Sequence, residues 1–171
     1  MPPAELHSLY LFYTCPRPVV LVSVVHGERS NLFPMDLIGP SDSPYFLMAL
    51  RQTSPAVQLM QHSRQLALSS IPAAWKLLAY DLGKHHKASQ IDLNTLPFPT
   101  LASPTFGLPV PQSALRVREV TVQQSQAIGS HILFVTQVVQ ETHWRDGTQM
   151  FHIPGLYQQY LHSQQRPLST Y

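Results

Sequence analysis

The apolar positions fall into short runs separated by turn residues, not into long helical stripes. Pro18–Val25 (PVVLVSVV) is a continuous β-branched run ending at His26-Gly27. Such a run predicts a buried strand followed by a turn. Ser30–Ile38 (SNLFPMDLI) follows at hairpin distance and contains Pro34. A proline there predicts an edge position or a bulge, with nearby backbone groups left free. Tyr45–Arg51 (YFLMALR) reads as a third strand. Ser54 as N-cap and Pro55 at the first helical position predict a helix over 54–63. Gln65–Ile71 (QLALSSI) alternates and predicts a strand. Pro72-Ala73 then open a second helix that runs to Leu82 and is ended by Gly83.

The stretch from Lys84-His85-His86-Lys87 to Pro111 is rich in proline and has no period, so it reads as an extended loop wrapping the surface. Leu115–Gln123 (LRVREVTVQ) alternates, with a slip at Glu119 that predicts a bulge. Ser130–Glu141 (SHILFVTQVVQE) is nearly continuous, as a central strand would be. Asp146-Gly147 signals a hairpin, Gln149–Ile153 a last strand, and Pro154–Leu161 a short terminal helix. Strands come first, two helices are inserted, and strands return. Without βαβα alternation the sheet is expected to be mostly antiparallel. About six short strands favour a small closed barrel. No repeat, low-complexity block or linker divides the 171 residues, so one domain with a core over about 16–160 is expected.

Composition changes this picture in three ways. The hydrophobic share of 44% is ordinary, but the charged share of 12% is about half the usual. Apolar surface is therefore expected to be covered by a partner subunit or a cofactor. Eleven Lys+Arg against nine Asp+Glu give only +2, too scattered for a nucleic-acid grip or a polybasic membrane anchor. The single cysteine, Cys15, excludes an intrachain disulfide framework and a Cys-rich metal site. Residues 9–25 are apolar but broken by Pro16, Arg17 and Pro18, and the preceding region carries Glu5 and no Lys or Arg. That pattern fits neither a signal peptide nor a membrane span, so a cytoplasmic protein is expected.

The motifs of common chemistries are missing: no Walker loop, GxGxxG, GxSxG or HExxH. The nine histidines lack acid or Cys partners at ligand spacing, and no metal site is expected. Any reactive group is then expected to come from a cofactor.

The order PVVLVSVV, HGERSN, YFLMALRQTS, QLALSSIP, LGKHHK, GSHILFVTQVV and IPGLY resembles the flavin reductase-like, FMN-binding split-barrel family, from Pro16 to Tyr160. The resemblance implies a mainly β fold with inserted helices: an antiparallel, Greek-key-like split β-barrel. It further implies a homodimer with FMN (less often FAD) at the subunit interface, reduced by NADH or NADPH. A flavin phosphate needs amide donors at a helix start, with cations or hydroxyls. Arg51, Gln52, Thr53 and Ser54 stand just before Pro55. The strand holding Asn31, Pro34, Met35 and Asp36 would offer free backbone groups to the ring edge. Ser69 and Ser70 would add hydroxyls. Lys87, with His85 and His86, would bring positive charge to the phosphate or the nicotinamide. His131 matches the family's late histidine, and Tyr157 would cover the flavin. Bulky Met35 and anionic Asp36 replace the small or hydroxyl residues of many members. A carboxylate near flavin N1 opposes the negative charge that reduction places there.

Each candidate also has a structural reading. Arg51 is open to pairing with Asp36 or Asp42, Thr53 and Ser54 to capping a helix, Asn31 to a turn, and His131 to a core bond with backbone. Lys87 and its histidines also read as a solvated loop, and Tyr157 as packing. The alternatives to a reductase are a non-catalytic flavin- or haem-binding barrel, or a purely structural dimerising barrel.

Overall fold

The structure, a computed structural model, describes residues 16–84 and 90–152. The strands are β1 (Arg17–Pro18), β2 (Val20–His26), β3 (Arg29–Met35), β4 (Ile38–Pro40), β5 (Tyr45–Arg51), β6 (Gln65–Ser70), β7 (Thr100–Ala102), β8 (Pro109–Pro111), β9 (Arg116–Ile128), β10 (His131–His143) and β11 (Phe151–His152). Among the described residues two α-helices, α1 (Pro55–Ser63) and α2 (Lys76–Gly83), are inserted between the strands. Seven strands form one antiparallel sheet in the order β3-β2-β6-β9-β10-β5-β4.

A chain-length constraint curls this sheet. Its two edges, β3 and β4, are joined by Asp36 and Leu37 alone. Laid flat, seven strands would hold their edges roughly 29 Å apart at about 4.8 Å per strand. The linker reaches at most about 11 Å from Met35 to Ile38. The sheet must therefore bend until its edges meet at this corner. The amide of Ala49 in β5 secures the linker by donating to the Leu37 carbonyl at 2.9 Å. The result is a curled half-barrel whose edges approach at one corner, in keeping with the mainly β split barrel expected.

Both faces of the early strands are covered, which is why β2 reads as unbroken apolar sequence. Val20, Val22 and Val24 point inward with Leu66, Leu68, Val120, Met48 and Phe134, and α1 adds Val57, Leu59 and Met60 to this core. Leu21 faces outward with Leu32, Ile71, Ala79, Leu82 and Met150, against α2. Ala67 and Val117 face outward under Leu108, Val110 and Ala114. The proline-rich stretch therefore includes a buried cover with its own β7–β8 hairpin, not only a surface loop.

Two tight turns join neighbouring strands, the first of them the turn expected at His26-Gly27. His26 pairs with Arg29 and Ile128 with His131, leaving two-residue loops. Gly27 (φ 60) and Gly129 (φ 56) open them, and such primed turns need positive φ at that position. Pro34 lies on an edge strand, and the run expected over Ser130–Glu141 forms an internal one, β10, from His131 onward. The second helix begins later than expected: Ala73–Trp75 is a 3-10 turn, and α2 follows it. The hairpin expected at Asp146-Gly147 does not form, because β11 pairs with β1 and not with β10. The terminal helix expected over 154–161 lies outside the described residues.

The break near Glu119 falls on its partner strand. Val138 pairs with Val120 and Gln140 with Glu119, so Val139 is the extra residue. Glu119 itself is fully buried. Its carboxylate accepts from the Ser103 hydroxyl (2.6 Å) and from the amides of Thr105 (2.9 Å) and Phe106 (2.6 Å). A low-charge chain has here placed a carboxylate where its cover loop folds around it. Replacing Glu119 by Gln removes the charge-assisted part of these bonds and points an amide donor at donors. The expected loss of stability is about 2–3 kcal/mol, read as a lower denaturation midpoint with an unchanged m-value.

Candidate functional site

A cavity of about 90 Å³ opens between β3, the start of α1 and the end of α2, lined by Asn31, Phe33, Pro34, Ser54, Ala56, Leu82, Gly83 and Ile91. It lies on the sheet edge that Pro34 predicts. Three residues singled out in the sequence, Asn31, Pro34 and Ser54, come together there. Asn31 is buried on β3. Ile91 is fixed across from it: its amide donates to the Ser30 carbonyl, and the Ser30 hydroxyl donates to the Ile91 carbonyl, both at 3.0 Å. Ser54 occupies the N-cap position in extended conformation, yet its side chain makes no cap hydrogen bond. The capping role expected of it is not filled.

Exposed Arg51 ends β5, and Gln52 and Thr53 form the exposed turn that leads to α1. The turn is anchored to the β9–β10 loop. The Gln52 amide donates to the Ser130 carbonyl at 2.9 Å, and its side-chain amide donates to the Gly129 carbonyl at 2.8 Å. His131 stands directly across from Arg51 in the ladder, with its Nδ1 3.1 Å from the Ser130 hydroxyl. A cation, an imidazole and hydroxyls thus share one rim, and the Ser54 amide is held by the Arg51 carbonyl at 2.9 Å. No acidic side chain lies in the first turn of α1, so the positive end of the helix is not countered there.

Met35 belongs to the inner core. Ser69 and Ser70 are buried in β6. Ser69 sits between Leu21 and Val117, and its hydroxyl has no hydrogen-bond partner among the described residues. His86, Lys87 and Tyr157 lie outside the described residues. Among the described residues no group of three or more metal-ligating side chains gathers, and no helix is long and apolar enough to cross a membrane.

The pairing of Arg51 with Asp36 or Asp42 is not found among the described residues; Asp36 pairs with Arg17 and His152 instead. Its Oδ2 accepts from Arg17 Nε at 3.0 Å and Arg17 Nη2 at 2.8 Å, and His152 Nδ1 reaches the same oxygen. A carboxylate can only accept, so His152 Nδ1 carries the hydrogen. The 3.3 Å approach of Arg17 Nη2 to His152 Nδ1 is then two donors meeting at one acceptor. The ring of His152 also stands edge-on to Tyr80 of α2, 6.0 Å between centroids. Arg17 and His152 carried no role in the sequence reading. Their one signal was a charged or polar residue inside an otherwise apolar run.

Burial pushes the Asp36 carboxyl up; the hydrogen bond from His152 and the charge of Arg17 outweigh it, leaving the group below its ordinary value of 3.8. Burial likewise pushes Glu119 up, and the bonds from Ser103, Phe106 and Thr105 outweigh it, leaving it below 4.5.

The flavin reductase like domain family matches residues 12–161, and the chain belongs to it. The FMN-binding protein of Thermus thermophilus, solved with bound 1-cyclohex-2-enone, is similar at 26% identity and a TM-score of 0.67, over 78% of this chain and 74% of that one. The NADH:FAD oxidoreductase of Streptomyces globisporus is similar at 19% identity and a TM-score of 0.76, over 87% and 89% of the two chains. The flavin reductase component of a bacterial two-component tryptophan halogenase is similar at 16% and 0.73, over 86% and 97%. At these last two identities the likeness establishes the fold. No curated protein sequence matches the chain.

Both lowered carboxyls make stability depend on acid in one direction. As pH falls, the unfolded chain takes up their protons first, so stability falls with pH. Their contribution is complete above their ordinary values of 3.8 and 4.5 and is lost as pH drops through the lower folded values. Denaturant midpoints are expected to decline below about pH 4.5, less steeply in Asp36→Asn. A midpoint that rises on acidification contradicts the assignment.

Proposed function

We propose that the chain is a flavin-dependent oxidoreductase that takes hydride from NADH or NADPH and passes the electrons to an acceptor. The observation that carries this is the meeting of Asn31, Pro34 and Ser54 around one cavity at the start of α1, in a chain of the flavin reductase like domain family.

The residues fit FMN. A phosphate needs amides at a helix start, hydroxyls and a cation. α1 begins beside the Ser54 hydroxyl, which is not spent on capping, and Arg51 and Thr53 lie exposed just before it. Asn31 and the edge backbone beside Pro34 would hold the polar rim of the ring, with Phe33, Leu82 and Ile91 as apolar wall. His131, across from Arg51, would orient the nicotinamide. Flavin, when bound, supplies the hydride-accepting ring system, and the chain supplies orientation and hydrogen bonds. Arg17 and His152 hold the Asp36 carboxylate, so its charge is compensated instead of opposing reduction of a nearby flavin.

Size supports a second subunit. Ligand pockets usually run from about 300 Å³ upward, and 90 Å³ encloses only part of a flavin. The rest would lie against a second copy of the chain, as a homodimer allows. Exposed Tyr45, Ile128 and Val139 on neighbouring strands are apolar surface for such a contact.

FMN is expected to bind at micromolar concentration, with quenched flavin fluorescence and a raised melting temperature. Loss of a charge-assisted phosphate contact in Arg51→Ala is expected to weaken FMN roughly 10- to 100-fold, and Ser54→Ala several-fold by the same titration. Anaerobic NADH or NADPH is expected to bleach the bound flavin's visible absorbance. Absence of quenching at micromolar protein overturns the reading; binding without bleaching replaces it with a non-catalytic flavin module.

A further inference from the structure

Arg51 and His131 face each other on the last rung of the β5–β10 ladder. Beyond that rung the two segments part into separate turns. One runs from Arg51 to Ser54 and is closed by the Ser54 amide, which donates to the Arg51 carbonyl at 2.9 Å. It carries Thr53 and Ser54 into α1. The other is the two-residue loop Gly129-Ser130 between β9 and β10, opened by Gly129 at φ 56. Among the described residues no ladder joins the two turns. Strand pairing alone therefore does not fix the spacing between the groups they carry.

Gln52 joins them. Its backbone amide donates to the Ser130 carbonyl at 2.9 Å, and its side-chain Nε2 donates to the Gly129 carbonyl at 2.8 Å. One residue thus holds both carbonyls of the hairpin loop. The contact continues to His131, whose Nδ1 lies 3.1 Å from the Ser130 hydroxyl. Gln52 itself is exposed and belongs to none of the apolar clusters. Water readily replaces an exposed hydrogen bond, so the side chain adds little to stability. What it adds is a fixed distance between two turns that bear different groups of the site.

We propose that Gln52 is a positioning residue: it clasps the turn before α1 to the β9–β10 loop and so sets the distance from Arg51, Thr53 and Ser54 to His131. The inference rests on the flavin reading of the site, in which the first three hold a phosphate and His131 orients the nicotinamide. Reaction between two bound rings is sensitive to their placement, and a shift of about 1 Å costs on the order of 100-fold in rate. Loss of the clasp leaves each group on its own strand or turn but lets the two turns move relative to one another. FMN is then still held, while the aligned arrangement is populated less. A residue that merely touched the phosphate would behave differently: its loss would raise the FMN dissociation constant and leave the rate at saturation unchanged.

Gln52→Met keeps the length of the side chain and removes its donor. The full chain is compared as wild type, Gln52→Met, His131→Ala and the double variant. Without ligand, Gln52→Met is expected to melt within about 2 °C of wild type. In the same ligand-free protein the amide of residue 52 is expected to exchange its hydrogen about tenfold faster, with the Val120 and Phe134 amides unchanged. At saturating FMN and NADH or NADPH, anaerobic bleaching of the flavin is expected to slow about tenfold in Gln52→Met, with the FMN dissociation constant raised no more than about threefold. In the His131→Ala background the same substitution is expected to lose most of its effect on the rate, because no ring is left to position. Unchanged exchange at residue 52, an unchanged rate, full additivity with His131→Ala, or a change confined to FMN affinity overturns the positioning role while flavin binding by the wild type stands. A melting temperature lowered by more than about 5 °C makes Gln52 a structural residue and overturns the role as well. Wild-type protein that fails to bind FMN, or binds it without being reduced, overturns the reductase reading and this role with it.

Discussion

Two residues, Asp36 and Leu37, carry the chain from one edge of a seven-stranded sheet to the other, and most of the architecture follows from that short link. A flat sheet cannot satisfy it, so the sheet curls, and curling creates an inside. The inside takes the alternate residues of β2, β6, β9, β10 and β5, and α1 joins the same core. The outside of the same strands is still apolar, so α2 and the proline-rich cover must pack on it. The fold is therefore layered on both sides of a barrel that one corner holds together.

The corner also explains where chemistry can gather. β3 is an edge because the order of strands ends there, and its proline is tolerated for that reason. An edge leaves backbone groups unclaimed by a ladder, and the space beside it becomes the cavity around Asn31, Pro34 and Ser54. The turn that follows Arg51 is pinned by its hydrogen bonds to the β9–β10 loop. Cation, hydroxyls and helix start are thereby presented by rigid elements. Such pre-organisation suits a site whose contribution is orientation, with the reactivity supplied by a bound cofactor.

The few charges of this chain are used with economy. Two carboxylates are taken out of bulk solvent, and each is surrounded by donors. Glu119 organises the loop around Ser103–Leu108 with a hydroxyl and two amides. Asp36 gathers Arg17 and His152 from the paired strands β1 and β11. In the first case neutral donors satisfy the charge; in the second a guanidinium compensates it.

Much of the chain was legible as a line of text. The strands β2, β5, β6 and β10, the helix start at Ser54-Pro55, the edge marked by Pro34 and the turn at Gly27 are all local signals, set by side-chain period and by the φ that glycine or proline permits. The order of these signals carried the family and the antiparallel class. Partners distant in sequence were not legible. Asp36 finds Arg17 across 19 residues and His152 across 116, and β11 chose β1 over the hairpin that Asp146-Gly147 advertised. Those choices depend on which surfaces meet once the sheet has curled. The extra residue at Val139 and the burial of Glu119 belong to the same class, because register and cover are properties of the closed fold. Local stereochemistry determined what each segment became; the short link between the sheet's edges decided which segments would touch.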